Sequence, residues 1–158
     1  MIKKKARSPL QKVFREMVVL ALNTGMRKSE VLNLRWADVL GDELTIKGKR
    51  EKTRAIPLNV EARKAIERQP RRDQYAFWLA NRNQLANLRR TVDLIRKRTG
   101  VDFHFHLLRH RFSTSLLEKG VDIVTVSELL GHSKAMTSLI YSHTDSKRKR
   151  KAVDLLGG

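Results

Sequence analysis

Two clusters of residues in this chain have the types and spacing to work on a phosphate. His106 and Arg109 stand three apart, so a helix would carry both on one face. Arg109 offers a planar fork of donors that matches phosphate oxygens, and an imidazole beside it can donate a hydrogen bond or move a proton. Tyr141 follows the Gly131-His132 pair by nine residues beyond His132, and a phenol near such cations is a candidate nucleophile. Its ordinary pKa of roughly 10 leaves about one phenolate in a thousand at pH 7, a deficit on the order of 4 kcal/mol that the guanidiniums and a base must overcome. A second arginine, Arg27, follows a Thr24-Gly25 stop at the start of a new helical run, where unpaired amides and the dipole favour an anion.

The elements that must position these residues can be read from periodicity. Leu10, Val13, Phe14, Met17, Val18, Ala21 and Leu22 recur at helical spacing and predict a core helix over 10–23, ended by Gly25. A short helix is predicted over 28–34, and Trp36 and Asp38 lead into an extended region. Strand-like runs at 43–46 and 53–58 flank the basic turn Lys47 to Lys52, which predicts a β-hairpin closed by Pro57. Further helices are predicted over 60–68, 84–98, 106–119 and 122–130, with a short one carrying Tyr141 and a last basic segment over 145–156. The aromatic run 74–80 fits a strand or a buried helix turn equally well. In the 84–98 helix Leu85, Leu88, Val92 and Ile95 form one stripe, while Arg89, Arg90, Arg96, Lys97 and Arg98 form a basic outer face. In the 106–119 helix the expected core residues are Leu108, Phe112, Leu116 and Leu117. His110 is expected to pack or hydrogen-bond within the fold, and Glu30 to buttress Arg27 or pair in the core.

A chain of 158 residues is one domain by length, and its 41% apolar content is ordinary for a globular protein. The charge is not: 34 Lys plus Arg against 16 Asp plus Glu give +18, with a pI near 11.0. Nucleic acid is the polyanion that such an excess fits best, although composition alone suits a solvated or ribosome-bound basic surface equally well. There is no Cys, hence no disulfide or thiolate metal site. His106 and His110 lack the intervening glutamate of a HExxH zinc site. With neither a secretory signal nor a long apolar run, the chain is expected to be cytoplasmic, nucleoid-associated and free of membrane.

NTGMRKSEVLNLRW, then TIKGKREKTRAIPL, HLLRHRFSTSLLEKG, SELLGH and IYSH, in that order over about Val18 to His143, resemble the catalytic domain of the tyrosine recombinase (phage integrase) family. The resemblance implies a mostly helical α+β fold with a small antiparallel β-sheet. It also implies metal-independent, cofactor-free cleavage and rejoining of double-stranded DNA through a 3′-phosphotyrosyl intermediate, as in a site-specific recombinase or integrase of a phage or mobile element. The site residues carried over are Arg27, Lys49, His106, Arg109, His132 and Tyr141. Arg27 and Arg109 would hold the scissile phosphate, Lys49 would protonate the leaving oxygen with Lys47 or Lys52 as rivals, His106 would relay the tyrosine proton, and His132 would bond the phosphate. Lys47, Arg50, Lys52, Arg89, Arg90, Lys147 and Arg148 are expected DNA contacts, and a tetramer on DNA is the expected assembly. Residues 1–158 are expected to be a single catalytic domain, with a basic lead at 1–7, a basic tail at 145–158 and no N-terminal core-binding domain. Two alternative readings remain open: a type IB topoisomerase-like relaxing enzyme and a non-catalytic DNA-binding regulator. Leu107 stands where many relatives carry an acidic residue.

Overall fold

The computed structural model describes residues 9–47, 53–77 and 83–131. The first helix, α1 (Pro9–Thr24), opens on a proline whose missing N–H costs nothing in a first turn. Phe14, Met17, Leu20 and Ala21 are buried along it, whereas Leu22 is exposed. Leu20 thus replaces Leu22 in the expected stripe, because at about 100° per residue Leu22 lies about 140° round from Met17 and Leu20 only about 60°. Gly25 ends the helix in the left-handed region, φ 65°, with its N–H on the Ala21 carbonyl.

Helix α2 (Lys28–Leu32) stops two residues before the expected end, and Asn33 closes it. The segment Trp36–Asp38, expected to lead into an extended region, is itself a 3-10 turn, because Asp38 accepts the Arg35 N–H at 3.1 Å and folds the chain back. The expected hairpin forms from β2 (Glu43–Lys47) and β3 (Thr53–Pro57), and β1 (Val39–Leu40) adds a strand that the sequence reading lacked. Among the described residues these make one antiparallel sheet in the order β1-β2-β3. Leu44 faces Ile56 and Ile46 faces Arg54 across β2 and β3. Because side chains alternate along a strand, Arg54 shares the inward face of Ile56.

Helix α3 (Val60–Glu67) starts at Asn59, whose side chain accepts the Ala62 N–H, and buries Ala62, Ala65 and Ile66. Over its described part, 74–77, the aromatic run is neither helix nor regular strand: Tyr75 makes one bridge to Arg35, and Ala76 and Phe77 are buried beside it. Backbone bonds from Trp36 to Gln74 and from Ala76 to Leu34 hold that run against the end of α2.

Helix α4 (Asn83–Thr99) buries Leu88, with Val92 and Ile95 half-buried against the core. Helix α5 (Phe105–Glu118) packs on α1, and Phe14, Phe103 and Phe105 meet edge to face with centroids 5.9–6.2 Å apart. Of the core residues expected on α5, Leu108 is buried, while Phe112, Leu116 and Leu117 are only half-buried. The most deeply set polar group on that helix is Arg109. Helix α6 (Ile123–Leu130) is capped by Asp122 and ends at Gly131 in the left-handed region. The fold is α+β, mostly helical, with a small antiparallel sheet. Among the described residues no helix is long and apolar enough to cross a membrane.

Candidate active site

Four charged side chains, one from just before α2 and the others from α2, β3 and α5, meet where α1 ends, and each is there for a local reason. Arg27 is the residue before α2, with extended backbone and a side chain 45% exposed. Its backbone N–H donates to Glu30 Oε2 at 2.7 Å and its Nη1 to Glu30 Oε1 at 3.0 Å. The amide expected to greet an anion at this helix start is therefore already taken by the Glu30 carboxylate.

Arg109, one turn after His106 on α5, is 4% exposed. Nη1 donates to the Gly25 carbonyl at 2.6 Å and Nη2 to the Leu130 carbonyl at 2.5 Å. These bonds tie the ends of α1 and α6 to α5. They also set Arg109 against the chain two residues before Arg27. Burial first, then the like charges of Arg27 and Arg54, lower its pKa to about 10 against an opposing pull from Glu30. Arg109 stays cationic at neutral pH, because even a lowered guanidinium is protonated there.

Arg54 was not singled out from the sequence. From β3 it reaches Glu30 with two parallel bonds, Nη1 to Oε1 at 3.0 Å and Nη2 to Oε2 at 2.8 Å, and its Nε donates to the Leu129 carbonyl at 2.9 Å. The signal was available: an Arg two residues before Ile56 on one face of a strand must enter the core with a partner. Glu30 fills both roles foreseen for it, pairing with Arg27 and with an inward-facing cation. Burial would raise its pKa, but hydrogen bonds from Arg54 and the Arg27 N–H, with the charge of Arg54, hold it below the usual carboxylate range.

His106 lies exposed in the first turn of α5, its ring stacked on His104 at 6.4 Å and 24°. His104 serves the helix, its Nδ1 accepting the Leu107 N–H at 3.1 Å. His110 is exposed, and its side chain does not pack into the fold as expected. A position one residue beyond the inward-facing Arg109 turns about 100° toward solvent.

Lys47 ends β2, exposed, on the rim of a cleft of about 280 Å³ that Glu30 also lines. Arg89 and Arg90 are exposed on α4 as expected. Arg96 is engaged instead, donating from Nε to the Phe103 carbonyl at 3.1 Å and pairing with Asp102 at 2.9 Å. The structure thus brings Arg27 and Arg109 together and sets His106 on the same helix as Arg109. Lys49, Arg50, Lys52, His132, Tyr141, Lys147 and Arg148 lie outside the described residues.

The phage integrase family model matches residues 1–148. The chain belongs to the phage integrase family. Among relatives within it, tyrosine recombinase XerC of Caldanaerobacter subterraneus subsp. tengcongensis is 34% identical over 152 residues, covering 87% of this chain and 43% of that protein. The XerH site-specific recombinase, solved bound to a palindromic difH substrate as a post-cleavage complex, superposes with a TM-score of 0.68 and 27% identity, over 98% of this chain and 49% of that one. The catalytic domain of bacteriophage HP1 integrase shares the fold, with a TM-score of 0.62 and 22% identity over 92% of this chain and 89% of that one. The chain spans about half the length of the XerC relatives it matches, and its fold is that of a tyrosine recombinase catalytic domain.

Proposed function

We propose that this chain is the strand-breaking and rejoining part of a site-specific recombinase acting on double-stranded DNA. The observation that carries the reading is the approach of two guanidiniums, Arg27 and Arg109, on adjoining elements, one half-exposed and one anchored by backbone carbonyls. Such a pair suits the non-bridging oxygens of a phosphodiester and the charge that grows on them in the transition state. The +18 charge and membership of the phage integrase family agree with DNA as the substrate.

In the proposed reaction the Tyr141 phenol oxygen attacks phosphorus as its proton passes to His106. The bond from phosphorus to the 5′-oxygen breaks, and that oxygen takes a proton from Lys49, with Lys47 or Lys52 as the rival donor. His132 adds a hydrogen bond to a phosphate oxygen. The products are a 3′-phosphotyrosyl link and a free 5′-hydroxyl. One ester replaces another of similar energy, so a second 5′-hydroxyl can reverse the step and join a new strand without ATP. Assembly of four copies on DNA, and phosphate contacts from Lys47, Arg50, Lys52, Arg89, Arg90, Lys147 and Arg148, complete the proposal.

Covalent trapping tests it. Duplexes nicked so that cleavage sheds a short fragment would be incubated with the protein in chelator and run on denaturing gels beside Tyr141→Phe. The expected result is a slower protein band with the parent alone. No such band on any duplex that the parent binds would sink the reading.

A further inference from the structure

Arg27 has two competing claims on its guanidinium. It pairs with Glu30 in the structure, yet in the proposed reaction it must turn to a phosphate oxygen. A half-buried carboxylate that lost its partner at that moment would pull Arg27 back, because an uncompensated charge in a partly desolvated site is costly. Arg54 removes that conflict. Its fork satisfies both Glu30 oxygens at once; the Arg27 guanidinium merely shares Oε1 with it, while the Arg27 backbone N–H keeps its bond to Oε2.

Arg54 is itself fixed from three sides. Its backbone is locked opposite Ile46 in the hairpin, and its Nε is committed to the Leu129 carbonyl. Its Cδ and Nη1 fill the space where a Cβ on Gly131 would stand, 3.0 Å from each. It cannot follow Arg27 away from Glu30. From this geometry we infer that Arg54 is a positioning residue: it holds Glu30 paired, so that Arg27 is released to bind an oxyanion.

The inference rests on Arg27 and Arg109 as the oxyanion binders of the proposed function, and it can be tested without strand cleavage. Orthovanadate binding would be followed by its effect on the melting temperature at constant ionic strength, for the parent, Arg54→Ala, Arg54→Lys, Glu30→Gln and the double variant Arg54→Ala with Glu30→Gln. Losing a bidentate charged contact should weaken vanadate by about tenfold in Arg54→Ala, as Arg27 becomes pinned to Glu30. Arg54→Lys keeps the charge without the fork and falls between. Removing the carboxylate in the double variant should restore affinity to within about threefold of the parent, which a mere strut for α6 would not allow. A lowered melting temperature with vanadate affinity unchanged overturns the inference, as does a double variant no better than Arg54→Ala. If Arg54→Ala does not fold, Arg54→Lys with and without Glu30→Gln decides the same question. A parent that does not bind vanadate also overturns it. A parent that binds vanadate but gives no covalent band sinks strand transfer alone, and the variants still decide the role of Arg54.

Discussion

Gly25 is where the fold and the site are most tightly bound together, and Gly25→Ala measures how tightly. Two costs add. An L-residue at φ 65° carries about 1–2 kcal/mol of strain. A Cβ there would stand 2.5 Å from Phe112 Cδ1 and 2.7 Å from Leu130 Cδ2, contacts that force α5 or α6 to shift, at about 1–3 kcal/mol for an overpacked core. The sum is about 2–5 kcal/mol, or a melting temperature lower by about 6–15 °C at about 3 °C per kcal/mol for a domain of this size. Any such shift also lengthens the bond from Arg109 to the Gly25 carbonyl, 2.6 Å in the intact protein, so anion affinity should fall with stability. Differential scanning calorimetry on Gly25→Ala, Phe112→Leu and the double variant separates the two costs. Collision predicts a favourable coupling of about 1 kcal/mol when the ring is trimmed, and backbone strain alone predicts none. A Gly25→Ala protein melting within about 2 °C of the parent would refute the packing argument, and absence of coupling would refute its collision half.

Two further outcomes follow from the charges. Because the folded-state pKa of Glu30 is lowered, the unfolded chain takes up its proton first as pH falls; stability due to Glu30 is full above about 4.5 and is lost through the lower folded value. Urea melts between pH 6 and 3 should show a shallower acid loss for Glu30→Gln than for the parent, and identical slopes would contradict the pairing. On α4, Arg89→Ala with Arg90→Ala should weaken duplex binding and reduce the slope of log affinity against log salt by about 2, as two phosphate contacts are removed. An unchanged slope would show that this face does not meet DNA.

The sequence made the elements legible where the pattern was long. Helices α1, α3, α4, α5 and α6 each carry an apolar stripe over two turns or more, and the hairpin has turn residues between two short runs. What it hid depends on partners distant in the chain. The bridge of Tyr75 to Arg35 spans 39 intervening positions that no window covers. In the site, the spacing of His106 and Arg109 and the helix-start position of Arg27 were readable because they are local. The burial of Arg109 was not, since its acceptors are the carbonyls of Gly25 and Leu130, made available only when three helices converge. Arg54 was hidden for the same reason, as its partners are 24 and 75 residues away.

The placement of these arginines answers a difficulty that any cluster of guanidiniums faces. Three guanidiniums close together repel, and the lowered pKa of Arg109 records that repulsion beside the cost of burial. Glu30 offsets part of it, but one carboxylate cannot balance three cations. The C-terminus of α6 supplies more. Its last carbonyls lack helical partners and carry the negative end of the helix dipole. Arg54 takes the Leu129 carbonyl and Arg109 takes that of Leu130, so two of the cations also close the helix. A neutral replacement at either position leaves an orphaned carbonyl as well as a weaker positive field, and the net positive charge left over is what the phosphate of the proposed reaction would neutralise. Stability and anion affinity are thereby drawn from the same groups. Substitutions at Arg54 and Arg109 should move both together, whereas Arg27, half-exposed and capping no carbonyl among the described residues, should move anion affinity with little change in melting temperature.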